Sequence, residues 1–269
     1  MFDGSVYVDG LLAMLVAGVA TWLLSLWRRD VSIVDSLWAP MFVLAAAVYA
    51  AQAPELATRG ALVLGLVTIW ALRLAAYITW RNWGEGEDRR YRAIRERNQP
   101  HFGFKSVYLV FGFQGVIAWI VSLPLLAAIL GDQPLGVLDG LGVALWALGM
   151  VFEAMGDWQL ARFKADPANR GKVLDTGLWR YTRHPNYFGN ACVWWGFFLI
   201  ALGAGGWWAI VSPLLMTFLL LKVSGVSLLE QDIGERRPAY ADYIRRTNAF
   251  LPGPPRGAGG RAASSGAKP

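Results

Sequence analysis

The sequence predicts an all-α, polytopic membrane protein with seven transmembrane helices, and three observations predict it. Hydrophobic residues fill 55 % of the 269 positions and charged residues only 16 %, whereas an average soluble domain has roughly 45–50 % and about 25 %. Apolar runs long enough to cross a bilayer recur along the chain. The cationic residues cluster in alternate loops, which is typical of cytoplasmic loops in membrane proteins.

The predicted spans follow from the apolar runs. A helix needs about 20 mostly apolar residues to cross the hydrocarbon core. Runs of about that length, separated by charges or by Gly and Pro, cover residues 6–27, 31–51, 60–80, 107–130, 135–158, 188–203 and 206–228. The first run lacks the basic region and the cleavage site of a signal peptide, so we expect it to be retained as a helix.

The distribution of Lys and Arg predicts the orientation. Of the 25 Lys and Arg residues, 22 lie after spans 1, 3 and 5 or in the tail, while Arg59 lies on the opposite side and Arg73 and Lys222 fall inside spans. The N-terminus is therefore expected outside and the C-terminus in the cytoplasm. We expect a multi-pass integral protein, in the inner membrane if the source is a bacterium, with its site facing the cytoplasm.

The remaining composition limits the function classes. Residues 1–251 are predicted to form a single transmembrane domain, and residues 252–269, rich in Pro, Gly, Ser and Ala, a disordered cytoplasmic tail. The net charge of +6 is explained by topology, so no nucleic-acid partner is expected. With one cysteine, Cys192, and two histidines, a disulfide and a Cys- or His-rich metal site are excluded.

Polar residues inside the spans predict a functional site. An ionisable group in a membrane span is costly and marks function unless a partner explains it. Such residues lie toward the predicted cytoplasmic side on several spans, and they include Asp35, Arg73, the pair Glu153 and Asp157, and the amides Asn186 and Asn190. Their convergence suggests one site. The structural alternative is that the charged members form ion pairs that only hold the helices together.

Two long loops on the same side mix cations, aromatics and glycines. Arg side chains with flexible Gly and neighbouring rings can bind phosphate and stack on a base. Contact with anionic lipid headgroups is the alternative. It accounts for Arg92, Arg95 and Arg97, but less readily for Asp88 or for His184-Pro185-Asn186.

One motif carries a resemblance to a known family. It reads Gly177-Leu178-Trp179-Arg180-Tyr181-Thr182-Arg183-His184-Pro185-Asn186-Tyr187-Phe188-Gly189. Together with Glu153-x-x-x-Asp157 before Phe163-Lys164, the segment Gly86 to Tyr91, and Tyr240-x-x-Tyr243 before Phe250-Leu251-Pro252, it resembles the membrane steroid 5-alpha-reductase superfamily, including its bacterial members. The resemblance covers about residues 30–252.

The resemblance implies NADPH-dependent reduction of a carbon–carbon double bond conjugated to a ketone, in an apolar lipid or steroid that enters from the bilayer. It also implies a set of cofactor-binding residues, namely Arg81, Asp88, Asp157, Lys164, Lys172, Tyr181, Arg183, His184, Asn186 and Asn190. One departure concerns Asn190, since family members often carry Glu there.

For the chemistry, a donor aimed at the ketone oxygen lowers the barrier to hydride transfer. By its position in the resemblance, Asp35 is the candidate, and a neutral acid in an apolar pocket could donate. Family members place a Tyr on span 3 beside this acid, but this chain has Trp70 at that point. The partner of Asp35 therefore stays open among Trp70, Tyr77 and Tyr91, with Tyr91 taken as the second catalytic candidate.

Two other functions remain possible from the sequence. Membrane methyltransferases that use S-adenosylmethionine, of the isoprenylcysteine and phospholipid types, carry a similar Arg-His-Pro-x-Tyr-x-Gly stretch. The methyltransferase hypothesis does not explain Asp35 or the spacing from Asp88 to Tyr91. A lipid-binding or transport protein would need a polar path to the outer face, where ionisable residues are scarce. The sequence does not specify the substrate or the oligomeric state.

Overall fold

The structure, a computed structural model, describes residues 2–223 and 238–256. Within these ranges all regular elements are helical, which confirms the all-α prediction. The helices are α1 (Gly4–Arg28), α2 (Val34–Gln52), α3 (Thr58–Asn82), α4 (Arg89–Arg97), α5 (Phe102–Val121), α6 (Leu123–Ile129), α7 (Val137–Ala165), α8 (Pro185–Gly203), α9 (Trp207–Val223) and α10 (Pro238–Arg246).

Five helices are long and apolar enough to cross a membrane, namely α1, α2 with the turn before it, α3, α5 and α7. Helix α9 is apolar but shorter. Helix α8, with 19 residues, is not among the five. These helices support a multi-pass membrane protein. The count of seven spans and the orientation stay predictions.

Two predicted spans differ from the helices. The run 107–130 is broken, because α5 ends at Val121 and α6 begins at Leu123 with Pro124 in its first turn. A proline lacks the N–H that would continue the helix and clashes with the carbonyl four residues earlier. The run 135–158 continues as α7 to Ala165, just before Asp166-Pro167.

The ends of the chain are described only in part. Residues 224–228 of the predicted last span and residues 257–269 of the predicted tail lie outside the described residues. The first residues of the tail are hydrogen-bonded, since the Gly253 N–H donates to the Tyr181 carbonyl at 3.0 Å and the Arg256 N–H to the Arg246 carbonyl at 2.8 Å.

The first compact unit comprises Met1–Leu145 and Trp194–Leu215. In it α2 packs between α1 and α3. The Arg59 side chain is 1 % exposed and forms a bidentate ion pair with Asp139, at 2.7 and 2.9 Å. Its guanidinium also donates to the carbonyls of Gln133 and Pro134, at 2.8 and 2.9 Å. The lone cation on the predicted outer side is thus fully paired.

The second compact unit comprises Trp146–Val193 and Met216–Pro269. Here α7 and α8 touch backbone to backbone. A Cβ atom built on Gly149 would lie 2.5 Å from the Gly189 carbonyl oxygen, and one on Gly156 would lie 3.0 Å from the Asn186 nitrogen. Only glycine fits at Gly149, and at Gly156 a side chain would force its neighbours to shift by a few tenths of an ångström. The close contact brings polar side chains of α7 and α8 within hydrogen-bonding reach.

Candidate active site

The first unit contains a hydrogen-bonded network centred on Asp35, in the first turn of α2. One carboxyl oxygen accepts from the Tyr91 hydroxyl at 2.6 Å. The other accepts from the Arg90 guanidinium at 2.8 Å. Both oxygens of Asp35 therefore accept a hydrogen bond, and the hydroxyl of Tyr91 is the donor of this pair.

Helix α4 carries both of these partners, and Asp88 fixes its beginning. As the N-cap residue, Asp88 accepts from the Arg90 N–H at 2.8 Å, which satisfies one of the free amides of the first turn. The same oxygen accepts from Arg90 Nε at 3.0 Å. The Asp88 N–H donates to the Ser32 hydroxyl at 3.3 Å. Arg90 thus bridges Asp88 and Asp35.

Glu87, in the segment before α4, is bonded both to α4 and to the turn before α2. Glu87 accepts two hydrogen bonds from Arg95, at 2.7 and 2.8 Å, and one from the Val31 N–H at 3.0 Å. Burial alone would raise the pKa of Glu87. These hydrogen bonds and the charges of Arg95 and Arg92 outweigh burial and hold the pKa of Glu87 below its ordinary value of 4.5.

Tyr91 is itself buried, with 6 % of its surface exposed, in an apolar cluster. The cluster contains Val31, Val34, Phe102, Val110 and Phe111. Burial raises the pKa of Tyr91 well above 10.0, and the charge of Asp35 and the hydrogen bond to it raise it further. The Tyr91 hydroxyl is consequently neutral at physiological pH and keeps its proton available for donation.

The Tyr91 hydroxyl also accepts a hydrogen bond. Gln114 Nε2 of α5 lies 2.9 Å from the hydroxyl oxygen and donates to it. The residues just before Gln114, Val107–Gly112, form a π-helical segment within α5. Such segments are rare and are frequent at functional sites.

The structure distinguishes the three proposed partners of Asp35. Tyr91 bonds to it directly. Trp70 is fully buried in an aromatic cluster, with its ring centroid 5.7 Å from Phe42 and 5.5 Å from Trp194. Tyr77 lies under the Arg81 guanidinium, at 5.7 Å from the ring centroid.

Not every predicted residue of the first unit joins the network. Arg81 is exposed, donates to the Asn82 side chain at 3.1 Å and packs on Tyr77. Asp88 belongs to the network through Arg90 and Ser32.

In the second unit, α7 and α8 form two amide–carboxylate pairs on successive turns. Asn186 Nδ2 donates to Asp157 at 3.0 Å, and Asn190 Nδ2 donates to Glu153 at 3.2 Å. Asp157, Glu153 and Asn190 are buried. The Asn190 side-chain oxygen is buried without a hydrogen-bond partner in the described structure. A buried acceptor of this kind is costly unless a donor reaches it.

The motif before α8 is tied to α10 and to the segment that follows it. Arg183 is buried, and its guanidinium donates to the carbonyls of Ile244 and Thr247 at 3.1 and 2.5 Å. The Thr182 hydroxyl donates to the Phe250 carbonyl at 2.8 Å. Tyr243 is buried and its hydroxyl donates to the Trp179 carbonyl. These contacts shape the motif.

The other predicted cofactor residues of the second unit differ in exposure. His184 is buried and its ring stacks on Tyr187, with centroids 5.4 Å apart. Tyr181 is 45 % exposed. Lys164 and Lys172 are exposed, on the last turn of α7 and on the segment that follows it.

Two of the residues that bond directly to Asp35 or Tyr91, Arg90 and Gln114, were not predicted. Gln114 is an uncharged amide in an apolar helix, and a search for ionisable residues in spans passes over it. Arg90 lies in an Arg-rich loop whose members look alike in sequence. The signal that would have identified Gln114 is its isolation, since an amide in a membrane span also needs a partner.

Comparison with known proteins gives matches that cover most of the chain. The family described as "Protein of unknown function (DUF1295)" matches residues 21–247. An uncharacterized protein of Schizosaccharomyces pombe is 26 % identical over 292 aligned positions, which cover 93 % of this chain and 81 % of the yeast protein. No solved structure matches the chain.

Proposed function

Because the chain belongs to the DUF1295 family, within the steroid 5-alpha-reductase-like superfamily, we propose that it reduces the conjugated double bond of an apolar enone. The electron donor is NADPH, and the substrate, such as a 3-oxo-Δ4-steroid or another enone lipid, enters from the bilayer. The site faces the cytoplasm, the N-terminus lies outside, and the chain crosses the membrane seven times.

The observation that carries the proposal is the buried Tyr91 hydroxyl held between Asp35 and Gln114. When an enone is reduced, negative charge grows on the ketone oxygen, and a preorganised neutral donor stabilises it. The Tyr91 hydroxyl is such a donor, and it can turn from Asp35 to a ketone oxygen that approaches it. Arg90 then balances the charge of Asp35.

The proton balance also fits this network. Reduction adds a hydride to the β-carbon and a proton to the rest of the enone. Tyr91 supplies that proton to the substrate oxygen, from which it passes to the α-carbon. The Asp35 side chain is 16 % exposed, so it can relay a solvent proton back to Tyr91 and balance the proton that the reaction consumes.

The residues of the second unit fit a dinucleotide. NADPH, when bound, supplies the hydride. Its phosphates require cations, and Lys164 and Lys172 are exposed and able to provide them. The buried Asn190 oxygen that lacks a donor can accept from an amide or amino group of the cofactor. We propose that Arg183 and His184 shape this segment, while Tyr181 and Asn186 contact the cofactor.

Methyl transfer from S-adenosylmethionine explains less of the structure. A methyltransferase needs a nucleophile on its substrate and a site for a sulfonium cofactor without phosphate. It gives no role to a neutral hydroxyl that is buried between a carboxylate and an amide.

The test uses purified protein in detergent and follows NADPH absorbance with a panel of enones. We expect Tyr91→Phe to lower kcat by about 10²–10⁴-fold, the usual contribution of a proton donor, and to leave NADPH binding unchanged. Tyr49→Phe is the matched control, because Tyr49 is also buried and bonds to a hydroxyl, that of Ser122 at 2.8 Å. Folded protein that oxidises NADPH with no enone, yet binds S-adenosylmethionine, would refute the proposal.

A further inference from the structure

Gln114 controls where the Tyr91 proton points. Its Nε2 group is 2.9 Å from the Tyr91 oxygen, and an amide nitrogen can only donate. The single hydrogen of the hydroxyl must therefore point elsewhere, and it points to Asp35 at 2.6 Å. Gln114 occupies one lone pair of the hydroxyl oxygen whichever acceptor the hydrogen then meets.

The π-helical segment of α5 places Gln114 on this side. At about 100° per residue, Gln114 would lie roughly 120° around an uninterrupted α-helix from Phe102. One extra residue in the π segment reduces this angle around the helix axis by about 100°. Gln114 therefore lies on nearly the same side of α5 as Phe102. Phe102 packs in the same apolar cluster as Tyr91. The irregular backbone therefore supports the same contact.

We infer that Gln114 is a positioning residue for the Tyr91 hydroxyl and stabilises the Tyr91 oxygen as its proton leaves. The inference rests on the proposed reduction, in which Tyr91 supplies the proton. A hydrogen bond that is present before the transfer becomes charge-assisted when the phenolate forms, and such bonds are stronger than neutral ones. Gln114 thus contributes more in the transition state than in the resting enzyme.

The kinetic test compares Gln114→Leu, which removes the donor, with Gln114→Glu. For Gln114→Leu we expect kcat to fall roughly 10- to 100-fold while KM stays within about twofold. An ionised Glu cannot donate, whereas a protonated one can. Gln114→Glu should therefore lose at least as much activity as Gln114→Leu at a pH where the Glu is ionised, and recover as the pH is lowered. Gln52→Leu is the matched control, since Gln52 is exposed and its amide donates to Asp9 at 3.1 Å.

A spectroscopic test needs neither cofactor nor substrate. The infrared C–O stretching band of Tyr91 is isolated by subtracting the spectrum of Tyr91→Phe. We expect Gln114→Leu to shift this band to that of a tyrosine that only donates, and Gln52→Leu to leave it in place. An unshifted band in folded Gln114→Leu, or a shifted band with kcat unchanged, overturns the role of Gln114. A wild-type protein that reduces no enone overturns the proposed function instead.

Discussion

Removing Arg59 should destabilise the first unit far more than removing an exposed arginine. The guanidinium makes four hydrogen bonds, two to Asp139 and one each to the carbonyls of Gln133 and Pro134. In Arg59→Met the Asp139 side chain, 4 % exposed, would stay buried without its counter-charge. Breaking a buried pair by removing one partner costs about 3–5 kcal/mol.

Equilibrium unfolding in mixed micelles, followed by tryptophan fluorescence, measures this cost. Arg28→Met is the matched control, because Arg28 is exposed in the last turn of α1. Its interaction with the helix dipole stabilises the protein by about 1 kcal/mol at most. The double variant Arg59→Met, Asp139→Leu should recover most of the loss, since it leaves no unpaired charge. A single variant as stable as Arg28→Met, or a double variant no better than the single one, would refute the reasoning.

Two further predictions concern the second unit and the segment before α4. A Cβ on Gly189 would collide with the backbone nitrogen of Glu153, so Gly189→Ala should lower the yield of folded protein in detergent. Gly65→Ala, at a position with open space, should not. The pKa of Glu87 is held low, so its stabilising contribution is present above its unfolded pKa and lost as pH falls through the folded value. The difference in thermal midpoint between wild type and Glu87→Gln should accordingly shrink below about pH 4.5 and persist at neutral pH.

The helices could be predicted because the membrane imposes a simple rule of length and hydropathy. The first three spans agree with α1, α2 and α3 to within a few residues. Hydropathy does not register backbone geometry, so the break before Pro124 falls inside a uniformly apolar run. Pro124 itself predicts this break, because a proline cannot continue a helix from the preceding turn.

The site could be predicted only as a set of candidates. Asp35 stood out because a carboxyl in a span demands a partner. Its partner Tyr91 lies 56 positions away, on a short helix whose placement depends on Glu87 and Arg95. No local pattern encodes such a contact. Gln114 carries no charge. The side of α5 on which it lies depends on a π-helical segment that the sequence does not predict.

The glycine contact between α7 and α8 changes which substitutions the second unit can tolerate. Where Gly149 contacts Gly189, no side chain loses rotamer entropy on packing. For the same reason, no side chain there can move to make room for a larger residue. Register along this contact is set by backbone atoms, so the turns that carry Asn186 and Asn190 cannot slide without a collision. In a saturation library, we expect lipid-facing positions of α7 to accept most apolar residues, while these glycines accept almost none.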